Sequence, residues 1–397
     1  MSERKRELNF TRADFIDFIK RGSLALLASQ IPGEFRERLV PLPTNTAIVD
    51  FAPSTQTSGI IQNEFFDNDM IIRQILGSEY VSKKELLHKL GLKALDRNNL
   101  ERRVYEQYPK VALVYGAFDH LENHGSAVAQ ALCLGWKMLG RKSTPYIIPI
   151  QEIMKPEEVH FPVDDAGNMG LFYEVNPNSL VRAIAKHLKR APMIQVINFS
   201  LQMGPMGFYF VDKEEREVVY RNDDGRAEKM QPVKVEKTYI RIEDAYTPDK
   251  VWQNIRKLME VCSQFPHIQF VAAAGNVDDD LTDVRKLLDW YKSKYGNLSL
   301  IGEWIAGKGR PRGEVYGADF YVENHKIGLS GGSSISAPVI SSLNSTLLYD
   351  RIPREHLEYL VRKHMSKKRV YRKSNSGAYT NELLIANVVD PSKFTPL

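Results

Sequence analysis

The sequence predicts an α/β protein: a doubly wound, mostly parallel sheet with helices on both faces. Short apolar, β-branched runs alternate with longer helical stretches along most of the chain. The residues that could carry chemistry (Asp50, the segment before His124, Ser200 and Asn276) fall at the carboxyl ends of predicted strands. Ligands bind at those ends in open α/β sheets.

The elements follow in order. Phe15, Phe18 and Ile19 recur at helical spacing, so residues 1–40 read as a helical N-terminal segment that Pro41-Leu42-Pro43 breaks. Residues 41–397 read as one domain. Thr46 to Phe51 is a short buried strand passing through a carboxylate. An apolar stripe of Leu86, Leu87, Leu90 and Leu92 among lysines and arginines predicts a helical insertion over about 55–110. Lys110 to Gly116 reads as a strand, Ser126 to Leu139 as a helix and Tyr146 to Ile150 as a strand. Residues 151–178 read as loop, turning at Asp164-Asp165-Ala166-Gly167-Asn168. A helix over Leu180–Leu188 and a strand over Ile194–Ser200 come next. Alternating polarity around Asn222-Asp223-Asp224-Gly225 predicts a β-hairpin inserted at about 205–245. Pro248 opens a helix to Cys262, Ile268 to Ala274 is a strand, and a helix covers about 281–294. Leu298–Gly302 is a strand, and a last helix runs from Ser334 to Tyr349.

Composition narrows the classes of function. The chain has 397 residues, 43% hydrophobic and 26% charged, which excludes a wholly disordered or collagen-like chain. No run approaches the ~20 apolar residues of a membrane span. The charged start, Met1 to Glu7, has no apolar stretch at signal-peptide distance, and Cys133 and Cys262 make no disulfide framework. Together these point to the cytoplasm. A net charge of +5 over this length does not imply nucleic acid.

Four segments stand out: Ala47-Ile48-Val49-Asp50, His124 to Ala129, Phe270 to Asn276, and Gly332-Ser333-Ser334-Ile335-Ser336-Ala337-Pro338. Acyl transfer needs a hydroxyl nucleophile, an imidazole base, a carboxylate that fixes the imidazole's tautomer, and donors for the oxyanion. Asp50, His124, Asn276 and Ser334 supply that set. A serine at a helix N-terminus also gains free N–H groups and the positive end of the dipole.

These segments resemble those of subtilisin-like serine peptidases, in the family's order. The family's serine box, Gly-Thr-Ser-Met-Ala-Ala-Pro, is matched by Gly332 to Pro338. Its histidine box, His-Gly-Thr-His-Val-Ala-Gly, is matched by His124-Gly125-Ser126-Ala127-Val128-Ala129-Gln130, with Ala127 at the second histidine. The Ala-Ala-Gly-Asn of the oxyanion strand is intact as Ala273 to Asn276. The cleft strand Asn-Met-Ser-Leu-Gly-Gly begins as Asn198-Phe199-Ser200-Leu201 and departs at Gln202-Met203. The aspartate box departs too, as Asp50-Phe51-Ala52, 74 positions before His124. The resemblance spans roughly 45–390. It implies catalysis by Asp50, His124 and Ser334, an oxyanion donor in Asn276, and substrate edges at Ser200-Leu201 and Ala273-Ala274-Gly275. It also implies a serine endopeptidase, and an intracellular chain without an obvious cleavable pro-segment points to a restricted protein target. The altered boxes suggest the alternative of an impaired scaffold that binds a partner protein. The 55–110 insertion, or the N-terminal segment, would be the place for a regulatory partner or a gate.

Rival readings attach to several of these residues. Asp119 competes with Asp50, but stands only five positions before His124. His120 and His124 could share a metal if both lay on one helix; Gly125 as a helix start would leave His120 in a loop. Asp278-Asp279-Asp280 could hold calcium, as relatives do, yet three adjacent carboxylates cannot encircle an ion. Neither a metal nor a cofactor is therefore expected. Cys133 reads as a small core residue. Gly328-Leu329-Ser330-Gly331-Gly332 matches the nucleophile elbow of another hydrolase fold, which needs an acid and a histidine downstream. Only His356 and His364 follow, in a short basic segment that reads as helical. Lys363, Lys367, Lys368, Arg369, Arg372 and Lys373 form a basic run whose plain reading is a solvated face.

Overall fold

The structure is a computed structural model. It describes residues 39–52, 68–91, 104–163, 169–200, 206–211, 214–221, 227–235, 239–244, 248–275, 285–311, 316–329, 331–363, 365–373 and 379–394. The strands are β1 (Thr46–Asp50), β2 (Tyr146–Pro149), β3 (Val159–His160), β4 (Gly170–Tyr173), β5 (Val196–Phe199), β6 (Met206–Val211) and β7 (Glu214–Arg221). They continue as β8 (Ala227–Val235), β9 (Tyr239–Asp244), β10 (Gln269–Ala273), β11 (Leu298–Ile305), β12 (Phe320–Val322), β13 (Met365–Lys373) and β14 (Tyr379–Val389). The helices are α1 (Asn68–Leu76), α2 (Lys83–Lys89), α3 (Pro109–Met138), α4 (Pro177–Arg190), α5 (Pro248–Ser263), α6 (Arg285–Tyr295), α7 (Ser333–Tyr349) and α8 (Leu357–Lys363).

The architecture is mixed α/β around a mostly parallel central sheet of order β13-β14-β12-β11-β10-β5-β1-β2. Every neighbouring pair in that order is parallel except β13 with β14. The chain steps from β1 outward to β2, then returns to the other side of β1 to lay down β5. The strand order therefore reverses between β1 and β5, and the crevice at their carboxyl ends is the expected ligand site. Asp50 closes β1, and Ser200 follows β5 directly.

Alternation along each strand divides the core. Ala47, Val49, Ile197, Phe270 and Leu300 belong to one buried cluster, and Ile48, Val196, Val271 and Ile301 to another. Helix α3 contributes to both. Its residues Val111 to Leu121 join the first cluster and Ala127 to Trp136 the second. The helix thus passes the carboxyl end of β1 near Gly125. Helix α7 is buried from Ser333 to Leu347. Its serines fold back on their own helix, as Ser341 Oγ to Ala337 O (3.0 Å) and Ser342 Oγ to Val339 O (2.7 Å). Small residues let α7 lie against α3, where a methyl group on Gly135 would overlap the Ser342 side chain.

Several expectations change. The run Lys110–Gly116 is not a strand but the first turns of α3, so the His124 helix begins at Pro109 and not beside the histidine. Unbroken apolar runs fit a buried strand or a buried helix equally, and Val111 to Tyr115 are all buried. Pro at the first helical position marks the true start. The stretch 151–178 is not all loop. It holds β3 and β4, which form a four-stranded antiparallel sheet of order β9-β6-β4-β3. The hairpin expected at 205–245 is the β7–β8 pair between the strands β6 and β9 of that sheet. The basic run does not stay helical. After α8 it enters β13, the sheet's edge strand, with Lys367, Lys368 and Arg369 exposed; charge on an edge strand discourages pairing with other chains.

The 1–40 segment lies outside the described residues apart from its last two positions. So do the turns at 164–168 and 222–226 and much of the 55–110 insertion, whose described part carries α1 and α2. Among the described residues, no helix is long and apolar enough to cross a membrane.

Candidate active site

Strand β1 delivers Asp50 fully buried at its carboxyl end. Oδ1 of Asp50 accepts the N–H of Phe51 at 2.7 Å. The His124 ring meets the same carboxylate, with Nδ1 3.0 Å from Oδ2 and 3.3 Å from Oδ1. The hydrogen bond is the one to Oδ1, and Oδ2 has no hydrogen-bond partner among the described residues. A carboxylate at Nδ1 selects the tautomer with hydrogen there, leaving Nε2 as the basic nitrogen. Gly125 makes this approach possible. A methyl group on it would overlap the Phe51 carbonyl oxygen and lie 3.5 Å from Asp50 Oδ1. Desolvation pulls the imidazole pKa down, but the charge and hydrogen bond of Asp50 outweigh it, so the net shift is upward. Asp119 turns elsewhere: its exposed carboxylate pairs with Lys83 at 2.9 Å.

His120 lies one turn before His124 on α3, not in a loop, and its ring sits edge-on to Phe208 at 6.5 Å. Among the described residues, no group of His, Cys, Asp or Glu could hold a metal ion. Cys133 is half-buried on α3, and burial pushes its thiol up to about 12.

Ser334 is the second residue of α7 and is buried, at 6% exposure. Gly331 (φ 141°) and Gly332 (φ 87°) lead into it through backbone that side chains rarely tolerate. The first N–H groups of a helix have no partner within it, and the Gly332 N–H is caught by the buried Glu303 Oε2 at 2.9 Å. Ser333 Oγ accepts the N–H of Gly275, just beyond β10, at 3.2 Å. Ser334 Oγ donates to Gly331 O at 3.4 Å. No hydrogen bond joins it to His124.

Pro338 is the sixth residue of α7, beyond its first turn, so the helix loses a bond there. The missing N–H would have reached the carbonyl of Ser334. Ser200 Oγ stands in for it, 2.8 Å from Ser334 O and 2.7 Å from Asn198 Oδ1. Asn198 in turn donates to Ser341 Oγ at 3.2 Å.

The structure thus brings Asp50 to His124, Ser200 to Ser334, and Gly275 to Ser333, the residue beside Ser334. Ala273 ends β10, and Ala274 N donates to Ile301 O at 2.9 Å. Leu201, Asn276, Gln202, Met203, Asp278 to Asp280 and Ser330 lie outside the described residues. Glu303 escapes a reading by motif, though it carries a signal: it is a polar residue inside an apolar strand, where burial demands a partner.

No family model matches the chain, and no curated protein matches it by sequence. Among solved structures it is similar to a mutant of the epidermin leader peptide processing serine protease from Staphylococcus aureus. The identity is 13% and the TM-score 0.33, over 99% of this chain and 83% of that one. A TM-score that low fixes neither fold nor activity.

Proposed function

We propose that the chain is a serine endopeptidase of the subtilisin-like kind, acting through an acyl-enzyme on a restricted intracellular protein target. The observation that carries the reading is the buried Asp50 against His124 Nδ1 at the carboxyl edge of the sheet. Ser334 at the start of a long buried helix completes it. Ser334 Oγ turns from the Gly331 carbonyl to His124 Nε2 and attacks the scissile carbonyl. His124 takes its proton and later returns it to the leaving amine, while Asp50 holds Nδ1–H and stabilises the imidazolium. The Ser334 N–H and the Asn276 side chain bind the oxyanion. Ser200-Leu201 and Ala273-Ala274-Gly275 flank the substrate backbone as strand edges. Water then releases the acyl group. The 55–110 insertion is the proposed place for a regulatory partner.

A second reading, a scaffold that binds a partner without turnover, draws on the Ser334 hydroxyl resting on Gly331 instead of His124. A fluorophosphonate probe separates the two, since it marks only an activated serine. One adduct by intact mass on the wild type, lost in Ser334→Ala, is the expected result. A folded wild type that takes no adduct favours the scaffold.

A further inference from the structure

A second cleft, of about 520 Å³, lies where β3 and β4 meet the start of α4. None of its lining residues belongs to the candidate active site. Three carboxylates line it (Glu157, Glu158 and Glu174), with His160, Phe172 and Tyr173. Two of the three have a cation nearby: Lys155 stands 4.0 Å from Glu157, and Lys257 pairs with Glu174. Glu158 has no such partner among the described residues, and its Oε2 is buried without a hydrogen bond.

The Tyr173 hydroxyl is in the same position. Tyr173 is 1% exposed, and its oxygen has no hydrogen-bond partner among the described residues. Burial, and then the charge of Glu158, pushes the phenol above its ordinary range, so it stays protonated and keeps its lone pairs for a donor. Buried polar groups in native proteins are nearly always paired. A carboxylate and a phenol that line one cleft, each with an orphaned buried oxygen and close enough for the charge of one to act on the other, define a place for something that brings N–H donors and positive charge. A metal ion does not fit, because no His, Cys, Asp or Glu group among the described residues is arranged to hold one. An ammonium or guanidinium on an apolar stem does: the charge meets Glu158, an N–H meets the Tyr173 oxygen, and the stem has aromatic surface to cover.

We propose that this cleft binds an organic cation, a primary ammonium or guanidinium, with Glu158 as its counter-ion and the Tyr173 hydroxyl as second acceptor. The cation is either a basic side chain of a bound peptide or a free polyamine. The proposal is independent of turnover at Ser334.

Titration calorimetry on the full-length Ser334→Ala chain, which cannot consume a peptide through that residue, tests it with two probes: spermidine and an acetylated, amidated tetra-arginine. Saturable binding of at least one is expected. Binding of spermidine alone identifies a free polyamine, and binding of the peptide identifies a side chain. Adding Glu158→Gln weakens the affinity by about tenfold or more, the worth of a charge-assisted hydrogen bond. Adding Tyr173→Phe weakens it less and does not lower the thermal midpoint, since it removes a hydroxyl that had no partner. Binding of neither probe overturns the proposal. So does affinity that both variants leave unchanged.

Discussion

The Ser200 hydroxyl hydrogen-bonds the carbonyl oxygen of Ser334 at 2.8 Å, the one helical carbonyl that Pro338 deprives of its N–H. The segment that follows β5 and the start of α7 are therefore tied at the carbonyl left open by a proline four residues along. Ser200→Ala should cost about 1–3 kcal/mol, because a buried acceptor loses its donor. Pro338→Ala returns an N–H to the helix, so Ser200→Ala should cost less in that background. A double-mutant cycle by denaturant unfolding should show coupling of about 1 kcal/mol. Strictly additive costs would refute the compensation.

The Asp50–His124 pair predicts a direction with pH. The imidazole pKa is raised in the folded chain, despite desolvation, by the Asp50 charge and hydrogen bond. A raised folded value adds stability that is full below the unfolded value, about 6.5, and fades as pH rises through the folded value. Asp50→Asn should therefore destabilise more at about pH 6 than at about pH 9. In catalysis the base must be neutral. The acid limb of kcat/KM should lie alkaline of the ordinary imidazole value and move toward acid in Asp50→Asn, with a rate loss of up to about 10⁴-fold. Equal destabilisation at both pH values would mean that the pair carries no charge coupling.

How much of this was legible in the sequence follows from where each signal resides. Asp50 and Ser334 are legible because a strand end and a helix start leave their trace in adjacent residues, whereas His124, in the middle of α3, is legible only through the box it opens. The parallel strands β1, β2, β5, β10 and β11 are legible as apolar runs between helices, whereas β12, only three residues long, is not. The start of α3 was not, because Val111 to Tyr115 carry no period that separates a buried helix from a buried strand. Strands β13 and β14 were missed because β13 reads as a basic run, its apolar face reduced to residues such as the buried Val370. Glu303 and Ser200 act through partners 29 and 134 positions away, a distance over which no motif operates.

Gly125 offers a steric test. A methyl group there overlaps the Phe51 carbonyl oxygen, which is backbone and cannot rotate away. Gly125→Ala should cost roughly 1–3 kcal/mol as overpacking and lower kcat further by separating His124 from Asp50. Gly307 is the control: it is exposed, and a methyl group there meets nothing within 4 Å. Gly307→Ala should stay within about 0.5 kcal/mol of wild type. Matching melting curves and rates for the two variants would show that α3 does not press on the end of β1.

Glu303 bears on the proposed nucleophile through the backbone before it. Its buried carboxylate accepts the Gly332 N–H at 2.9 Å, and Gly332 holds the positive φ from which α7 starts. The orientation of Ser334, and of the N–H groups proposed to face the oxyanion, depends on that turn. Glu303→Gln keeps an acceptor oxygen in place, whereas Glu303→Ala leaves a buried N–H with no partner, at about 1–3 kcal/mol. Steady-state kinetics should show Glu303→Ala lowering kcat with KM little changed, because the loss falls on transition-state geometry. Glu303→Gln should recover most of the rate. A Gln variant as slow as Ala would transfer the role from the hydrogen bond to the charge, and a rise in KM alone would place Glu303 among the groups that bind substrate.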